Sequence, residues 1–270
     1  MTRQTILIKV GGGKTINWDF IAEDLRKIIR THKIVLVHGA NAMRDQIAEK
    51  LNHPTKTIVS PSGVTSVYTD SRAIDIFLMS YAGLVNKKIV AVLQGNRVNA
   101  VGLSGVDGSL WQAKRKKHVY DVTNGKTRLI QDNLTGKVTR INIRLIKILL
   151  KNNFYPVICP PAIDESHQIV NTDGDTAAIE TAISLGIKKV VFLFEMPGLL
   201  KDFPNERSKI DRIDRKHIDD FVVLTQGRMK KKLLAVKQAL ETGIETVYFG
   251  DGRMKRPIIS ALAGTGTIIS

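Results

Sequence analysis

The sequence predicts an α/β protein built on a mainly parallel sheet, and two observations predict it. Short apolar runs rich in Val and Ile recur along the chain, as expected for strands that are buried on both faces. Longer segments lie between these runs. In one of them Ile141, Leu145, Ile148 and Leu149 recur at helical spacing. Strands that alternate with helices favour a parallel sheet covered by helices.

The elements follow in order along the chain. Strands are predicted, from the apolar runs, at residues 6–10, 34–38, 98–103, 157–159, 189–194, 246–249 and 266–269. Helices are predicted between them at residues 19–30, 42–51, 71–94, 140–153, 176–185, 228–242 and 257–262.

The stretch from 107 to 137 differs from this pattern because it is polar and basic. Within it, residues 119–122 and 127–130 flank Asn124-Gly125, a dipeptide that favours a tight β-hairpin turn. We therefore expect a surface insertion that carries a hairpin. No repeat or flexible linker interrupts the chain. We expect one domain over 1–270 with two lobes, which meet near Pro160-Pro161.

Composition excludes several classes of protein. The chain has 270 residues and one Cys, which excludes an internal disulfide framework and a zinc site built on cysteines. No apolar run is expected to reach the roughly 18 residues of a membrane span. A strand begins almost at once, which leaves no room for a signal peptide. We expect a cytoplasmic protein with no membrane partner.

The formal net charge is +16, from 41 Lys+Arg and 25 Asp+Glu. A basic surface can bind nucleic acid, suit anionic substrates such as nucleotides, or receive an acidic protein partner. Local runs at residues 114–117 and 230–232 also have a plain interpretation as solvated surface charge. Aromatic residues make up only 6% of the chain, so a stacking platform for nucleic acid is not expected.

Two glycine-bearing segments follow predicted strands. Lys9-Val10-Gly11-Gly12-Gly13 ends the first strand, and His38-Gly39-Ala40-Asn41 ends the second. Ligands of open parallel sheets bind at the carboxyl ends of strands, where glycines let the backbone approach an anion. Lys9 stands in an otherwise apolar strand and needs an anionic partner or a route to solvent. His38 is expected to be a hydrogen-bonded structural residue rather than a catalytic base.

Two further segments carry charge at helix starts. Asn171-Thr172-Asp173-Gly174-Asp175 precedes an alanine-rich helix, where an acidic residue can serve simply as the N-cap. Gly227-Arg228-Met229-Lys230-Lys231-Lys232 begins another helix. Cations there oppose the helix dipole unless an anion such as phosphate lies nearby. No metal-ligand spacing is present in these segments, and we expect no protein metal site.

Taken together and in this order, the motifs resemble those of the amino-acid kinase family, and N-acetylglutamate kinase in particular. The matching segments are Lys9-Val10-Gly11-Gly12, Gly102-Leu103-Ser104-Gly105-Val106-Asp107-Gly108, Asn171-Thr172-Asp173-Gly174-Asp175, Pro197-Gly198 and Met229-Lys230-Lys231-Lys232. The resemblance covers the whole chain. It implies a three-layer αβα sandwich with a substrate lobe over 1–165 and a nucleotide lobe over 166–270.

A narrower resemblance is to the LysW-aminoadipate kinase branch of that family. It rests on Ser60-Pro61-Ser62-Gly63, Tyr68-Thr69-Asp70, Leu84-Val85-Asn86-Lys87, Arg115-Lys116-Lys117 and Gln226-Gly227-Arg228-Met229-Lys230. It implies ATP-dependent phosphorylation of a carboxylate on a substrate that is attached to LysW, a small acidic carrier protein. The product would be an acyl phosphate for lysine synthesis from aminoadipate, and in some members for arginine synthesis from glutamate. A homodimer is also expected.

The family's site residues can be carried over where this sequence matches. Lys9 and Lys232 would flank the transferring phosphoryl group, and Asp175 would hold both. Gly11, Gly12 and Gly39 would offer backbone N–H groups to it, with Ala40 beside the substrate. Asn171 would bind the substrate near its α-carboxylate. ATP would bring Mg²⁺ with it. A carboxylate acceptor is already ionised at pH 7, so no general base is required.

This sequence departs from the family's pattern at several positions. Ala40 replaces a usual Gly, Asp173 a usual Asn and Arg228 a usual Gly. Val67 stands where the family has an Arg that binds the substrate's carboxylate, so either Arg72 or Arg44 substitutes, or the carrier provides most of the binding. Two alternatives therefore stay open: a kinase of free N-acetylglutamate, and a nucleic-acid-binding or regulatory protein on the same scaffold.

Overall fold

The structure, a computed structural model, describes residues 3–61, 63, 65–116, 118–123, 126–225 and 227–270. The strands in these residues are β1 (Gln4–Val10), β2 (His32–His38), β3 (Thr57–Val59), β4 (Thr65–Val67), β5 (Ala100–Ser104), β6 (Trp111–Arg115), β7 (Val119–Thr123), β8 (Lys126–Ile130), β9 (Thr135–Ile141), β10 (Tyr155–Cys159), β11 (Ala162–Asp164), β12 (Ile169–Thr172), β13 (Lys189–Phe194), β14 (Arg212–Ile213), β15 (Thr246–Asp251) and β16 (Thr267–Ile269). The helices are α1 (Trp18–Ile28), α2 (Asn41–Lys50), α3 (Ser71–Phe77), α4 (Asn86–Gly95), α5 (Ile143–Lys151), α6 (Gly174–Ser184), α7 (Ile218–Leu224), α8 (Gly227–Glu241) and α9 (Pro257–Leu262).

A central sheet has the strand order β14-β16-β15-β13-β1-β2-β10-β5. Its pairs are parallel except for β15 with β16. All seven strands predicted from apolar runs lie in this sheet, so the mainly parallel α/β prediction is confirmed. The two-residue strand β14 was not predicted because so short a segment gives no pattern. Strands from before and after residue 165 share the sheet, and the division into two lobes stays a prediction.

Helices cover the two faces of this sheet. Strand β1 shows which face is which, because Lys9 is in register with Phe192 and Val10 with Leu193. Lys9 points toward α6, while Leu193 packs beside Gly250 near α9. Helix α1 contacts both α4 and α9, and α6 contacts α8. The implied three-layer arrangement is confirmed.

The region from 107 to 141 holds more structure than the sequence indicated. Strands β7 and β8 form the predicted hairpin, although its Asn-Gly turn lies outside the described residues. Strands β6 and β9 pair with each other and close a small four-stranded sheet with β11 and β12. The helix predicted from residue 140 begins at Ile143 instead. There the Asn142 side chain accepts a hydrogen bond from the backbone N–H of Leu145.

One long helical segment runs from Ser71 to Gly95, and its middle, Leu78–Val85, is π-helical. By length and composition this segment is apolar enough to cross a membrane, contrary to the expectation that no run in the chain would be. The relevant window is 39% buried inside the protein. Ile74, Phe77, Ile89 and Leu93 are among the buried residues of the whole segment, as expected for a helix that packs against the protein interior.

Candidate active site

The site begins where β1 and β2 end side by side, with Val10 in register with His38. The two following glycine loops are in backbone contact. A Cβ added at Gly12 would lie 2.3 Å from the backbone nitrogen of Ala40, and one at Gly39 would lie 2.9 Å from that of Gly12. Only glycine at these two positions permits the approach. The predicted meeting of two glycine-bearing strand ends at one sheet edge is therefore observed.

Some backbone N–H groups of these loops are hydrogen-bonded within the sheet, and others have no acceptor among the described residues. The N–H of Gly11 donates to the Leu193 carbonyl at 2.9 Å, and that of Gly39 donates to the Val10 carbonyl at 3.0 Å. Both groups thus continue the sheet. Among the described residues, nothing accepts from the N–H groups of Gly12 and Gly13. These two amides are better placed than those of Gly11 and Gly39 to bind an anion.

A buried cluster of three charged side chains lies beside the loops. Lys9 pairs with one carboxylate oxygen of Asp175, and Lys232 pairs with the other. The fold positions each of them. Lys9 is the second-last residue of β1, Asp175 lies in the first turn of α6, and Lys232 lies in the first turns of α8. Asp173 serves as the N-cap of α6 by accepting from Thr176, as the plain interpretation predicted. The structure therefore brings together the three residues that the family motifs singled out.

Burial and charge act against each other in this cluster. Burial by itself would raise the pKa of Asp175, but Lys232 and Lys9 hold it well below its usual range. Burial lowers the pKa of Lys232, and Lys9 lowers it further, while Asp175 opposes both effects. The Lys232 ammonium also lies 4.8 Å from the centre of the Phe194 ring, a favourable cation–π contact. The arrangement holds two cations near one point.

Asn171 lies at the end of β12 and donates from its side-chain amide to the Thr69 hydroxyl at 3.1 Å. The same hydroxyl donates to the carbonyl of Val67 at 3.2 Å. Thr69 is fully buried, and its N–H bonds to the Asn133 side chain. Asn171 is thus fixed beside the segment where the family's arginine is replaced by Val67.

His38 is a structural residue, as expected. It is fully buried, and its Nε2 lies 3.0 Å from the side-chain nitrogen of Asn86, which also donates to the Val157 carbonyl. Its Nδ1 lies 3.2 Å from the Gly39 carbonyl. These partners assign the proton to Nδ1. Burial lowers the pKa of His38 to about 4, so the ring is neutral at pH 7.

The two candidate substitutes for the missing arginine differ in place. The guanidinium of Arg72 donates to the Leu51 carbonyl at 2.5 Å. Arg44 is buried and lies over the Phe77 ring, 5.2 Å from its centre, where it shares a small cavity with Val67. Its guanidinium also pairs with Asp45 at 2.6 Å. Of the two, Arg44 is the one beside position 67.

The methyl group of Ala40 does not point into open space. Ala40 belongs to a small buried cluster with Ile74, Phe77, Tyr81 and Cys159. The extra methyl at this family-glycine position is thereby accommodated by the long helical segment.

Two supporting contacts were not predicted from sequence: that of Phe194 with Lys232 and that of Asn86 with His38. Phe194 could have been found from strand register. It ends the predicted strand 189–194, on the same face as Phe192 and hence as Lys9. The contact of Asn86 with His38 could not be predicted in this way. The helical periodicity shows which side of the helix is buried, but it does not show which strand that side faces.

Comparison with known proteins concerns the whole chain. A model of the amino acid kinase family matches residues 4–250. A [LysW]-aminoadipate kinase from Thermus thermophilus is 39% identical over 267 residues, covering 98% of this chain and 99% of that protein. One from Deinococcus radiodurans is 41% identical over 266 residues, covering 98% and 91%. A [LysW]-aminoadipate/[LysW]-glutamate kinase from Saccharolobus islandicus is 32% identical, with 98% of each chain covered.

Solved structures with low sequence identity share the fold. N-acetylglutamate synthase from Neisseria gonorrhoeae, solved with coenzyme A and N-acetylglutamate, gives a TM-score of 0.79 at 20% identity. The alignment covers 99% of this chain and 59% of that longer one. Carbamate kinase from Giardia gives a TM-score of 0.69 at 17% identity, covering 100% of this chain and 99% of the other. At these identities the likeness concerns the fold alone.

Proposed function

This chain belongs to the amino acid kinase family, and we propose that it phosphorylates the side-chain carboxylate of 2-aminoadipate carried on the protein LysW, with ATP as co-substrate. The cluster of Lys9, Asp175 and Lys232 at the edge of the sheet carries the chemical part of the proposal. Relatives of 39% and 41% identity over nearly the full length are named for that activity, which supports the choice of substrate.

In the proposed reaction the substrate carboxylate attacks the γ-phosphorus of ATP. A carboxylate oxygen–phosphorus bond forms, and the bond from phosphorus to the β,γ-bridging oxygen breaks, so that ADP leaves with the electron pair. The acceptor needs no base because carboxylates are ionised at pH 7. Catalysis then rests on positioning and on charge stabilisation, as in other phosphoryl transfers.

Each residue of the cluster has a separate role in this scheme. The ammonium groups of Lys9 and Lys232 stabilise negative charge on the transferring group and on the leaving oxygen. Asp175 is a positioning residue, because its two oxygens are already occupied by the two lysines. The free N–H groups of Gly12 and Gly13 supply hydrogen bonds to phosphoryl oxygens.

Magnesium enters this scheme with the nucleotide. The described residues contain no group of three or more His, Cys, Asp or Glu that could hold a metal ion. Asp175, the acidic side chain in the cluster, is committed to two lysines. The residues present therefore fit an ion held chiefly by phosphate oxygens, which would supply charge neutralisation on the nucleotide.

For the substrate, Asn171 lies near the α-carboxylate side, with Ala40 and Gly39 beside the bound group. Arg44 is our choice for a partner of the free carboxylate because it is buried next to Val67. An acidic carrier suits a chain of net charge +16. Carrier-bound glutamate, and with it arginine synthesis, is a second candidate substrate that the name of the Saccharolobus islandicus relative favours. A homodimer in the cytoplasm completes the proposal.

The test is ATP turnover on three substrates: free N-acetylglutamate, carrier-linked aminoadipate and carrier-linked glutamate. We expect efficient turnover of carrier-linked aminoadipate and little of the free compound. Comparable turnover of free N-acetylglutamate without a carrier would overturn the substrate assignment. Salt-sensitive DNA binding without any phosphoryl transfer would instead favour the nucleic-acid alternative.

A further inference from the structure

A cavity of about 420 Å³ lies next to the glycine loops, between α1, α2 and α4. Its size falls within the range of small-molecule sites, roughly 300–1,000 Å³. The backbone of the two glycine loops, at Gly11–Gly13 and Gly39, forms one wall.

This cavity is on the opposite side of the sheet from the catalytic cluster. Lys9 shares a face with Phe192, whereas Val10 shares the other face with Leu193 and Gly250. Ile16, which lines the cavity, packs against Gly252 on that second face. None of Lys9, Asn171, Asp175 and Lys232 lines it, whereas Gly12, Gly13, Gly39 and Ala40 of the two loops do. A molecule in the cavity would touch the glycine loops from behind.

The walls combine apolar surface with positive charge. Trp18, Met43 and Val92 give apolar contact, and Lys14 and Lys88 are exposed at its edge. Neither lysine has an ion-pair partner within the part of the chain that the structure describes. The described residues that line the cavity include no acidic side chain. Such a site favours an anionic head group and offers nothing to a cation.

We propose that this cavity is a regulatory site for a small amphipathic anion, a carboxylate or phosphate attached to an apolar group. Its apolar part would lie against Trp18 and α4, and its head group would meet Lys14 and Lys88. The proposed ligand carries no positive charge, because the described residues that line the cavity offer no carboxylate to pair with an ammonium group. This site goes beyond the proposed reaction and does not depend on which substrate is phosphorylated.

The route by which such a ligand would act is short. The loops that form the cavity wall are the same loops that we propose bind the phosphoryl group, and they are in backbone contact at Gly12 and Ala40. Filling the cavity should reduce their freedom and change kcat. It should leave the affinities for ATP and for the carrier-linked substrate nearly unchanged, because the ligand approaches the shared loops from the face of the sheet opposite Lys9.

Binding can be measured without any activity. The chain has two Trp residues: Trp111 is fully buried and bonded to Thr181, while Trp18 lines the cavity. Titration with 3-phenylpropionate and with phenyl phosphate should change the fluorescence of Trp18, and the two probes separate a preference for carboxylate from one for phosphate. The Trp18→Phe variant should lose the signal while calorimetry still detects binding. The cation 2-phenylethylamine should not bind.

Paired variants then locate the site. Lys88→Glu should weaken anion binding at least about tenfold, the scale of one lost charge-assisted hydrogen bond. Lys151→Glu on α5 makes the same change in net charge and should have no effect. Val92→Trp should abolish binding by filling the cavity, whereas Ala91→Trp at the exposed neighbouring position should not.

Three results would each overturn the proposal. These are equal affinity in wild type and Lys88→Glu, equal binding of the amine probe, and competition between the anion and either ATP or the carrier-linked substrate. The last would place the cavity within the catalytic site. Failure of the protein to phosphorylate carrier-linked aminoadipate would not affect the binding measurements, so the two proposals fail separately.

Discussion

Replacing Asp175 with Asn tests the charged cluster most sharply. The change keeps the size of the side chain and removes the one negative charge that stands between Lys9 and Lys232. Two ammonium groups bonded to the two oxygens of one carboxylate lie roughly 5 Å apart. At an effective dielectric constant of about 20 their mutual repulsion is about 3 kcal/mol. The Asp175 carboxylate offsets this repulsion in the wild type, and the variant leaves it without compensation. For a chain of this size that corresponds to a fall in Tm of roughly 6–10 °C.

The variant can relieve this repulsion only by releasing a proton from one lysine. Lys232 is the candidate, because burial and Lys9 already lower its pKa and the opposing effect of Asp175 is gone. A neutral Lys232 cannot stabilise the transferring phosphoryl group. We therefore expect kcat to fall at least about 10²-fold, the scale of one lost preorganised group.

The pH dependence has a definite sign. In the variant the pKa of Lys232 lies further below its value in the unfolded chain, so the unfolded state binds more protons and stability rises with pH. The difference in Tm between the variant and the wild type should shrink between pH 7 and pH 9. Differential scanning fluorimetry at several pH values measures this difference directly.

A matched control stands two residues away. Asp173→Asn makes the same change in charge, and Asn is as good an N-cap for α6 as Asp. Asp173 also raises the pKa of Lys232, but less than Asp175 does, so the control removes only the smaller effect. The control should keep a Tm within about 2 °C of wild type. If Asp175→Asn shows the same Tm and kcat as this control, then Asp175 does not hold the two lysines in a catalytic arrangement, and the proposed role of the cluster is refuted.

Three further predictions follow from the site and its surface. Lys9→Ala and Lys232→Ala should each lower kcat at least about 10²-fold with a much smaller change in KM, and near-normal kcat in either would remove that lysine from the mechanism. Burial lowers the pKa of His38 from 6.5 to about 4. Between these two pH values the unfolded chain therefore binds a proton at His38 that the folded protein does not bind. The free energy of unfolding should therefore fall by roughly 3 kcal/mol as the pH is lowered from 6.5 to about 4. His38→Gln should remove most of this pH dependence, as measured from urea unfolding curves. Replacing the three cations at residues 115–117 with Glu should raise KM for the carrier-linked substrate, reduce its salt dependence and leave KM for ATP unchanged; an unchanged KM would mean that these residues are only solvated charges.

The central sheet could be predicted from sequence because strands that are buried on both faces consist of nearly continuous apolar runs. Runs such as 190–194 are apolar throughout, and each predicted run proved to be a strand of this sheet. Strands β6 and β9 contain no continuous apolar run. They alternate Lys and Arg with buried residues such as Ala113 and Val138, and their pairing depends on a distant partner. Tertiary context, not local preference, makes them strands.

The candidate site shows the same division. Lys9 in an apolar strand and Asp175 beside an N-cap could be singled out by residue type, and the structure brings them together. Which amides remain free could not be predicted, because that depends on whether the sheet's hydrogen bonding extends past the strand end. It does so at Gly11 and Gly39. The cavity behind the loops is likewise a product of helix packing that no motif records.

The most direct test of the central claim is a single-turnover experiment with ATP labelled at the γ-phosphate. Enzyme in excess is mixed with carrier-linked aminoadipate, and any acyl phosphate is trapped with hydroxylamine. We expect label to leave ATP only when the carrier-linked substrate is present, with a hydroxamate formed on the aminoadipate in equal amount and at least about 10² times more slowly with Lys232→Ala. Release of labelled phosphate without any hydroxamate, or an equal rate in that variant, would contradict the account.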